Sequence, residues 1–282
     1  MPIKSIMSAQ LPPSAPRPVR PRFDANAAWK SAVDVIRANR QVLLVMAGLF
    51  FLLPQLAVDF MLPAPPPGLE GNAAGKALLE IYAVWWPLIL LGFIVQGAGL
   101  LAVIALIAGA GRPTVKQAMV AGLKALPTMV GAQLVVGAGV GLGMLLLLMP
   151  FAAIGGEAMA GLALIPALAF AMWIYARTML ISPIVAAGGT RNPFDAITGS
   201  WQATKGNASR LLLFFLLLML ATTVIYLVAT SIPAALVAVI GGAEAGAIAV
   251  ALFGSVVAAC FSLLSAVVLT AAWRQLAPVG PS

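Results

Sequence analysis

Long apolar stretches, not strict alternation, dominate the hydrophobic pattern of this chain. Six of them, at about 41–62, 81–108, 128–149, 158–182, 211–240 and 247–273, reach the roughly 20 residues that a helix needs to cross a hydrocarbon core of about 30 Å. None shows the two-residue period of a membrane β-barrel strand. A lipid-embedded segment must satisfy its own backbone hydrogen bonds, and the pattern therefore predicts helices. The longest stretches fall short of the roughly 40 residues that two passes require, so each is read as one tilted or kinked pass.

Between these stretches the period changes. Trp29, Val33 and Ile36 are spaced four and three apart, flanked by Lys30, Arg37 and Arg40. Val115, Met119, Leu123 and Leu126 make a second stripe with Lys116 and Lys124, and Phe194, Ile197 and Trp201 a third, followed by Lys205 and Arg210. Each pattern is one face of a short helix. Thr114 is placed to cap the second, and Asn192-Pro193 opens the third with a cap and a first-turn proline. The expected architecture is all-α: a polytopic membrane protein with six transmembrane helices and three short amphipathic interfacial helices, Trp29, Phe194 and Trp201 anchoring them among headgroups. The layout recurs three times, near 23–108, 113–182 and 192–273, as parallel repeats within a membrane domain at 23–276.

Composition agrees with that reading. Hydrophobic residues make up 62% of the 282 and charged residues 9%, with a mean hydropathy of +1.05; a soluble domain is nearer half apolar and about a quarter charged. There is no histidine and one cysteine, Cys260. Ser-His-Asp and Cys-His nucleophiles, His-based metal or haem sites and internal disulfides are thereby excluded. The eight acids are scattered, with no cluster to hold magnesium or calcium. The expectation is a protein without catalytic residues, metal or cofactor.

The basic residues are distributed unequally. Fifteen of the 16 Lys/Arg fall in the N-terminal segment, the 109–127 and 183–210 connections, the end of the fourth span and the C-terminus, and Lys76 alone lies opposite. With three and five acids respectively, the two sides carry +12 and −4, which together make the +8 of the chain. By the positive-inside rule both termini are expected in the cytoplasm, of a bacterial inner membrane. Topology thus accounts for the basicity, and a nucleic-acid partner is not expected. Residues 1–22 form a Pro/Arg-rich tail, expected to be disordered and lacking the apolar region of a cleavable signal. A second short tail covers 277–282.

One stretch carries a family likeness. Arg177, Leu180 and Pro183 are followed by Ala196, Ser200, Trp201, Thr204 and Gly206 ahead of a Leu/Phe-rich span. This resembles the Arg-x-x-Leu…Pro-Val and Ala-x-x-x-Ser-Trp-x-x-Thr-x-Gly segments of the membrane domain of bacterial glycerophosphoryl diester phosphodiesterases and of YciC-like inner-membrane proteins. An acidic position frequent in that family is missing at Ala187-Gly188-Gly189. The resemblance implies a polytopic membrane domain without chemistry of its own. The hydrolase of such fusions is a separate barrel that uses histidine and metal-binding carboxylates, so phosphodiesterase activity is not expected here.

The remaining candidates lie inside the spans. Gly137, Gly139, Gly141 and Gly143 make overlapping Gly-x-x-x-Gly pairs, a packing surface and a route to homo-oligomers through the Gly-rich span at 128–149. Gly97-Ala98-Gly99-Leu100-Leu101-Ala102 fits a loose dinucleotide pattern but follows no strand. Gln96, Gln133, Thr222 and Thr223 either bond between helices or line the path of a small transporter or channel, the alternative function. Asp59 and Glu80 sit near the outer span ends, beside Tyr82, Trp85 and Trp86. Arg177, close to the cytoplasmic end of the fourth span, snorkels, pairs with Asp195 or holds a lipid phosphate. The leading expectation is a lipid-interacting or scaffolding module. Its partners are anionic phospholipids of the cytoplasmic leaflet, met by Arg177, Lys30, Arg37, Arg40, Lys116, Lys124, Lys205 and Arg210. A protein partner is not legible.

Overall fold

The computed structural model describes residues 22–63, 68, 71–109, 111 and 113–277, apart from the side chains of 152, 155–158 and 160. The Pro/Arg tail before Arg22, Arg112 and the last five residues of the C-terminal tail lie outside the described residues. All regular structure among the described residues is helical: α1 (Ala25–Ala38), α2 (Arg40–Ala47), a π-helical turn (Gly48–Leu52), α3 (Leu53–Met61), α4 (Gly71–Ala108), α5 (Val115–Thr178), α6 (Ile181–Gly188), α7 (Pro193–Thr204) and α8 (Ala208–Leu276). Five segments are long and apolar enough to cross a membrane: Arg40–Met61, Gly71–Ala108, Val115–Phe151, Gly161–Gly188 and Ala208–Leu276.

The helix starts follow local chemistry. The Asp24 carboxylate accepts from the Ala27 N–H at 3.0 Å and begins α1. Thr114 and Gln117 form a reciprocal capping box at α5, and Asn192 accepts from the Phe194 N–H ahead of Pro193 in α7. Each cap satisfies a backbone donor that the first helical turn leaves open. The π turn in the first span has a cause four residues on. Pro54 offers no N–H to the Phe50 carbonyl and its ring crowds that oxygen. The preceding turn widens, and the Leu53 N–H bonds to Gly48 instead. Phe50 then lies against Gly99 of α4, in space that a side chain would fill.

Two long helices fold back on themselves. α8 has 69 residues, but Gly242 breaks it with φ 80° and ψ 179°, a region essentially confined to glycine. Its arms, 208–241 and 243–276, lie side by side, since Gly254 is placed against the Tyr226 ring. In α5 the Phe170 ring fills the space over Gly143. A straight helix would hold residues 27 apart at about 40 Å, so this helix also doubles back between them. Of the four glycines at 137–143 only Gly143 is covered; nothing lies within 4 Å of the Cβ positions of Gly137, Gly139 and Gly141.

The second amphipathic stripe differs from its expectation. Val115–Leu126 is not a separate surface helix but the uninterrupted start of α5. A Cβ at Gly122 would sit 2.7–3.0 Å from backbone atoms of Ala98 and Ala102, and Leu126 meets Gly97. Small residues on both helices allow this close approach, while Val115 and Leu123 of the stripe stay exposed. α1 and α7 are separate short helices, as their stripes imply. α1 nevertheless turns Ala28 and Ala32, not Trp29, toward the protein.

The core gathers at one end. α1, α2, the π turn, the second half of α4 and both ends of α8 share a cluster that includes Leu43, Met46, Phe51, Ile104, Leu211, Val267 and Val268. Four long-range bonds close that end. The Phe23 N–H donates to Asn207 at 2.9 Å. Gln275 exchanges two bonds with the Asp24 backbone at 3.1 and 3.2 Å. Arg274 donates to the Ile107 carbonyl. Toward the other end the Ser255 hydroxyl, with Gln55, holds the Asp59 carboxylate at 2.6 and 3.0 Å and ties the first span to the last. Large side chains such as Leu213, Leu217, Leu220, Ile225, Val239 and Ile240 face outward. Apolar surface on that scale is untenable in water and ordinary in lipid.

Candidate lipid-contact site

The site forms where α5 stops. The chain leaves α5 after Thr178, Leu180 takes φ −90° and ψ 8°, and α6 restarts at Ile181. A helix end leaves its last carbonyls without intrahelical donors, and α7 supplies one. The Ser200 hydroxyl donates to the Arg177 carbonyl at 2.7 Å. The Thr204 hydroxyl bonds chiefly to the Ser200 carbonyl at 2.7 Å and reaches the Arg177 oxygen at 3.5 Å, the limit of a useful contact. Both side chains are fully buried.

Between these two donors in sequence, Trp201 meets the side chain of the same arginine. The Arg177 guanidinium carbon lies 4.9 Å from the Trp201 ring centre. The Trp173 ring closes on Trp201 edge-on at 5.1 Å and 86°. Such a stacked cation is worth about 0.5–2 kcal/mol, most where water is excluded. The stack holds the guanidinium in one place. The Arg177 Nε is buried and has no hydrogen-bond partner among the described residues. Asp195, one expected partner, forms no ion pair with it among the described residues. The arrangement presents a fixed planar cation, its terminal N–H groups bonded to no described residue, at a helix break, suited to an oxyanion.

The other basic candidates do not converge on this point. Lys30 and Arg37 are exposed on α1, Arg40 at the start of α2, Lys116 and Lys124 on α5, and Lys205 after α7; Arg210 is half-buried at the start of α8. They are spread over α1, α2, α5, the end of α7 and the start of α8, but several share one end of the molecule. The bonds from Phe23 to Asn207, Asp24 to Gln275 and Arg274 to Ile107 bring together the ends of α1, α4 and α8. Thr128 donates to the Arg191 carbonyl at 2.9 Å and joins the 189–192 connection to α5. Trp29 and Phe194 face outward, 43% and 61% exposed. Trp201, expected as a third anchor, is half-buried and occupied by Arg177 and Trp173.

The polar candidates for a solute path are apart. Gln133 lines a groove of about 510 Å³ between the arms of α5 and α6. Thr222 and Thr223 line another of about 230 Å³ between the arms of α8, and the two share no residue. The threonine hydroxyls bond back to Leu218 and Met219 of their own helix at 2.9 Å. Gln96 lines neither groove. Among the described residues no three His, Cys, Asp or Glu side chains group to hold a metal ion.

The sequence missed Trp173 and Tyr175 in this region. Trp173 precedes Arg177 by four residues, one helical turn, so its place on the same face was legible. Ser182 and Asn207 carry no comparable local signal. Compared with protein-family models, curated proteins and solved structures, the chain matches none.

Proposed function

We propose that this protein is a lipid-interacting or scaffolding module of the bacterial inner membrane, with six passes and both termini in the cytoplasm. The five long apolar segments, the reversal of α8 at Gly242 and the outward-facing aliphatic side chains support the membrane reading. The six-pass count follows if each arm of α8 crosses once. The charge asymmetry of the connections supports the orientation.

The observation that carries the lipid reading is Arg177: its guanidinium is stacked on Trp201 and bonds to no other side chain or backbone group among the described residues. A phospholipid phosphate would accept from the terminal N–H groups of that guanidinium, while the exposed lysines and arginines add a diffuse attraction of about 1 kcal/mol per base. The resemblance to glycerophosphoryl diester phosphodiesterase membrane domains fits this reading. Its matching residues sit at one corner: Ala196, Ser200 and Thr204 are fully buried, and Gly206 takes φ +83° where α7 turns into α8.

Native mass spectrometry of gently extracted protein tests this reading. Arg177→Ala should lower retention of an anionic phospholipid by about tenfold, from the loss of one charge-assisted bond. Arg177→Lys should fall between, since it keeps the charge and loses the planar stack. Arg17→Ala, in the tail, should stay close to the parent. Equal retention by Arg177→Ala and Arg17→Ala would remove Arg177 from the account.

A further inference from the structure

The groove between the arms of α5 and α6 holds an anomaly that the Arg177 corner does not absorb. Its walls are apolar, with Leu100, Val140 and Met172 among them, except for the amide of Gln133 and the hydroxyls of Tyr175, Thr178 and Ser182. Thr178 bonds back to the Ile174 carbonyl of its own helix at 2.9 Å. Gln133, Tyr175 and Ser182 make no side-chain hydrogen bond among the described residues. Ser182 is only 3% exposed, yet its hydroxyl is not sealed off and borders the groove, along which Gln133 and Tyr175 are exposed. In lipid an unmet donor costs more than in water, because no solvent molecule replaces the partner. Three such donors around an otherwise greasy groove indicate an occupant that brings acceptors on an apolar body.

We propose that this groove binds one acyl chain of a glycerolipid, with the chain's ester carbonyl accepting from Gln133, Tyr175 and Ser182. The volume of about 510 Å³ lies within the roughly 300–1,000 Å³ of small-molecule pockets. The depth agrees with an ester. Gln133 lies five residues, about 8 Å of helix, beyond Thr128, and Thr128 is bonded to the connection at Arg191. That is one to two turns inward from a basic connection, where the glycerol backbone of a leaflet lies beneath its headgroups. No charged side chain lines the groove, so it selects on the ester and leaves the headgroup to others. The proposal rests on the lipid-interacting reading and deepens it: Arg177, on the face of α5 turned to α7, engages a phosphate, and this separate face holds a chain.

Two phosphatidylglycerols test it, one with two ester-linked hexadecanoyl chains and one with two ether-linked hexadecyl chains. The headgroup, and hence any contribution of Arg177, is the same in both. Native mass spectrometry of the wild-type protein should show the ester lipid retained about tenfold better, from three modest bonds in a membrane setting. The triple variant Gln133→Leu, Tyr175→Phe, Ser182→Ala should bind both lipids alike. Tyr175→Phe alone, which removes a single hydroxyl from an exposed side chain, should reduce the preference about threefold and serves if the triple variant misfolds. Equal binding of the two lipids by wild type, or a preference that survives in the variants, overturns the proposal while leaving the lipid reading intact. A long-chain quinone that displaces the ester lipid from wild type but not from the triple variant overturns the glycerolipid assignment. Retention of neither lipid by wild type removes the broader reading first.

Discussion

Ser200 and Thr204 sit one turn apart on α7, and their distances separate their roles. At 2.7 Å the Ser200 hydroxyl is the donor that satisfies the Arg177 carbonyl; Thr204, at 3.5 Å from it, chiefly closes its own helix. Ser200→Ala should destabilise the protein by about 1–3 kcal/mol, because it leaves a carbonyl without its donor at a buried helix break. Thr204→Val, which keeps the shape, should cost about 1 kcal/mol or less. Thermal unfolding of both variants in the same detergent measures the difference, and a larger loss for Thr204→Val would contradict this assignment. The residue types were readable beforehand: Arg177, Ser200, Trp201 and Thr204 all fall within the stretch that carries the family likeness. Their meeting was not. It depends on the break at Met179-Leu180, and Leu180-Ile181-Ser182-Pro183 looks like a continuing apolar run. Nor does any local pattern announce that Phe23 bonds to Asn207 or Asp24 to Gln275, each pair more than 180 residues apart.

At the scale of elements, hydropathy placed the span ends where polarity changes abruptly. The expected 41–62 and 81–108 correspond to Arg40–Met61 and Gly71–Ala108, the second sharing its last residue. The start of α5 was not legible in this way. Apolar periodicity gives a surface helix and the first turns of a packed helix the same stripe, and Pro127 and Pro150 look like boundaries. In lipid a helix has no competing water for its backbone and runs through proline, as α5 does at Pro127, Pro150 and Pro166. Packing decided the outcome through Gly122, whose approach to Ala98 and Ala102 leaves no space for a side chain. Gly122→Leu should therefore separate α4 from α5 and destabilise the bundle by about 1–3 kcal/mol or more. At Gly242 the constraint is conformational, since nothing lies within 4 Å of its Cβ position. Gly242→Ala should cost about 1–3 kcal/mol through backbone strain alone, whereas Gly161→Ala, with open space and an ordinary backbone, should cost nothing measurable. Comparison of melting temperatures for the three variants checks both arguments.

For the whole molecule, the division between a cross-bonded end and an apolar end gives the fold its polarity. The cluster of α1, α2, α4 and α8 and four of the long-range bonds lie where the basic connections meet. Beyond it, aliphatic side chains face outward along arms such as 208–241, about 50 Å long at 1.5 Å per residue. That exceeds a hydrocarbon core of about 30 Å, so under the proposed six-pass reading the arms would tilt or project past it. The count of passes and their direction are the central claim, and site-by-site accessibility of single cysteines in intact cells, in a Cys260→Ala background, tests it most directly. Cysteines at Lys76 and Ala243 should react with a membrane-impermeant reagent from outside, while those at Asn26, Gly111, Thr190 and Ala277 should react only after the membrane is opened. Labelling of Asn26 and Lys76 from the same side, or of Ala243 from the side of Ala277, would contradict the account.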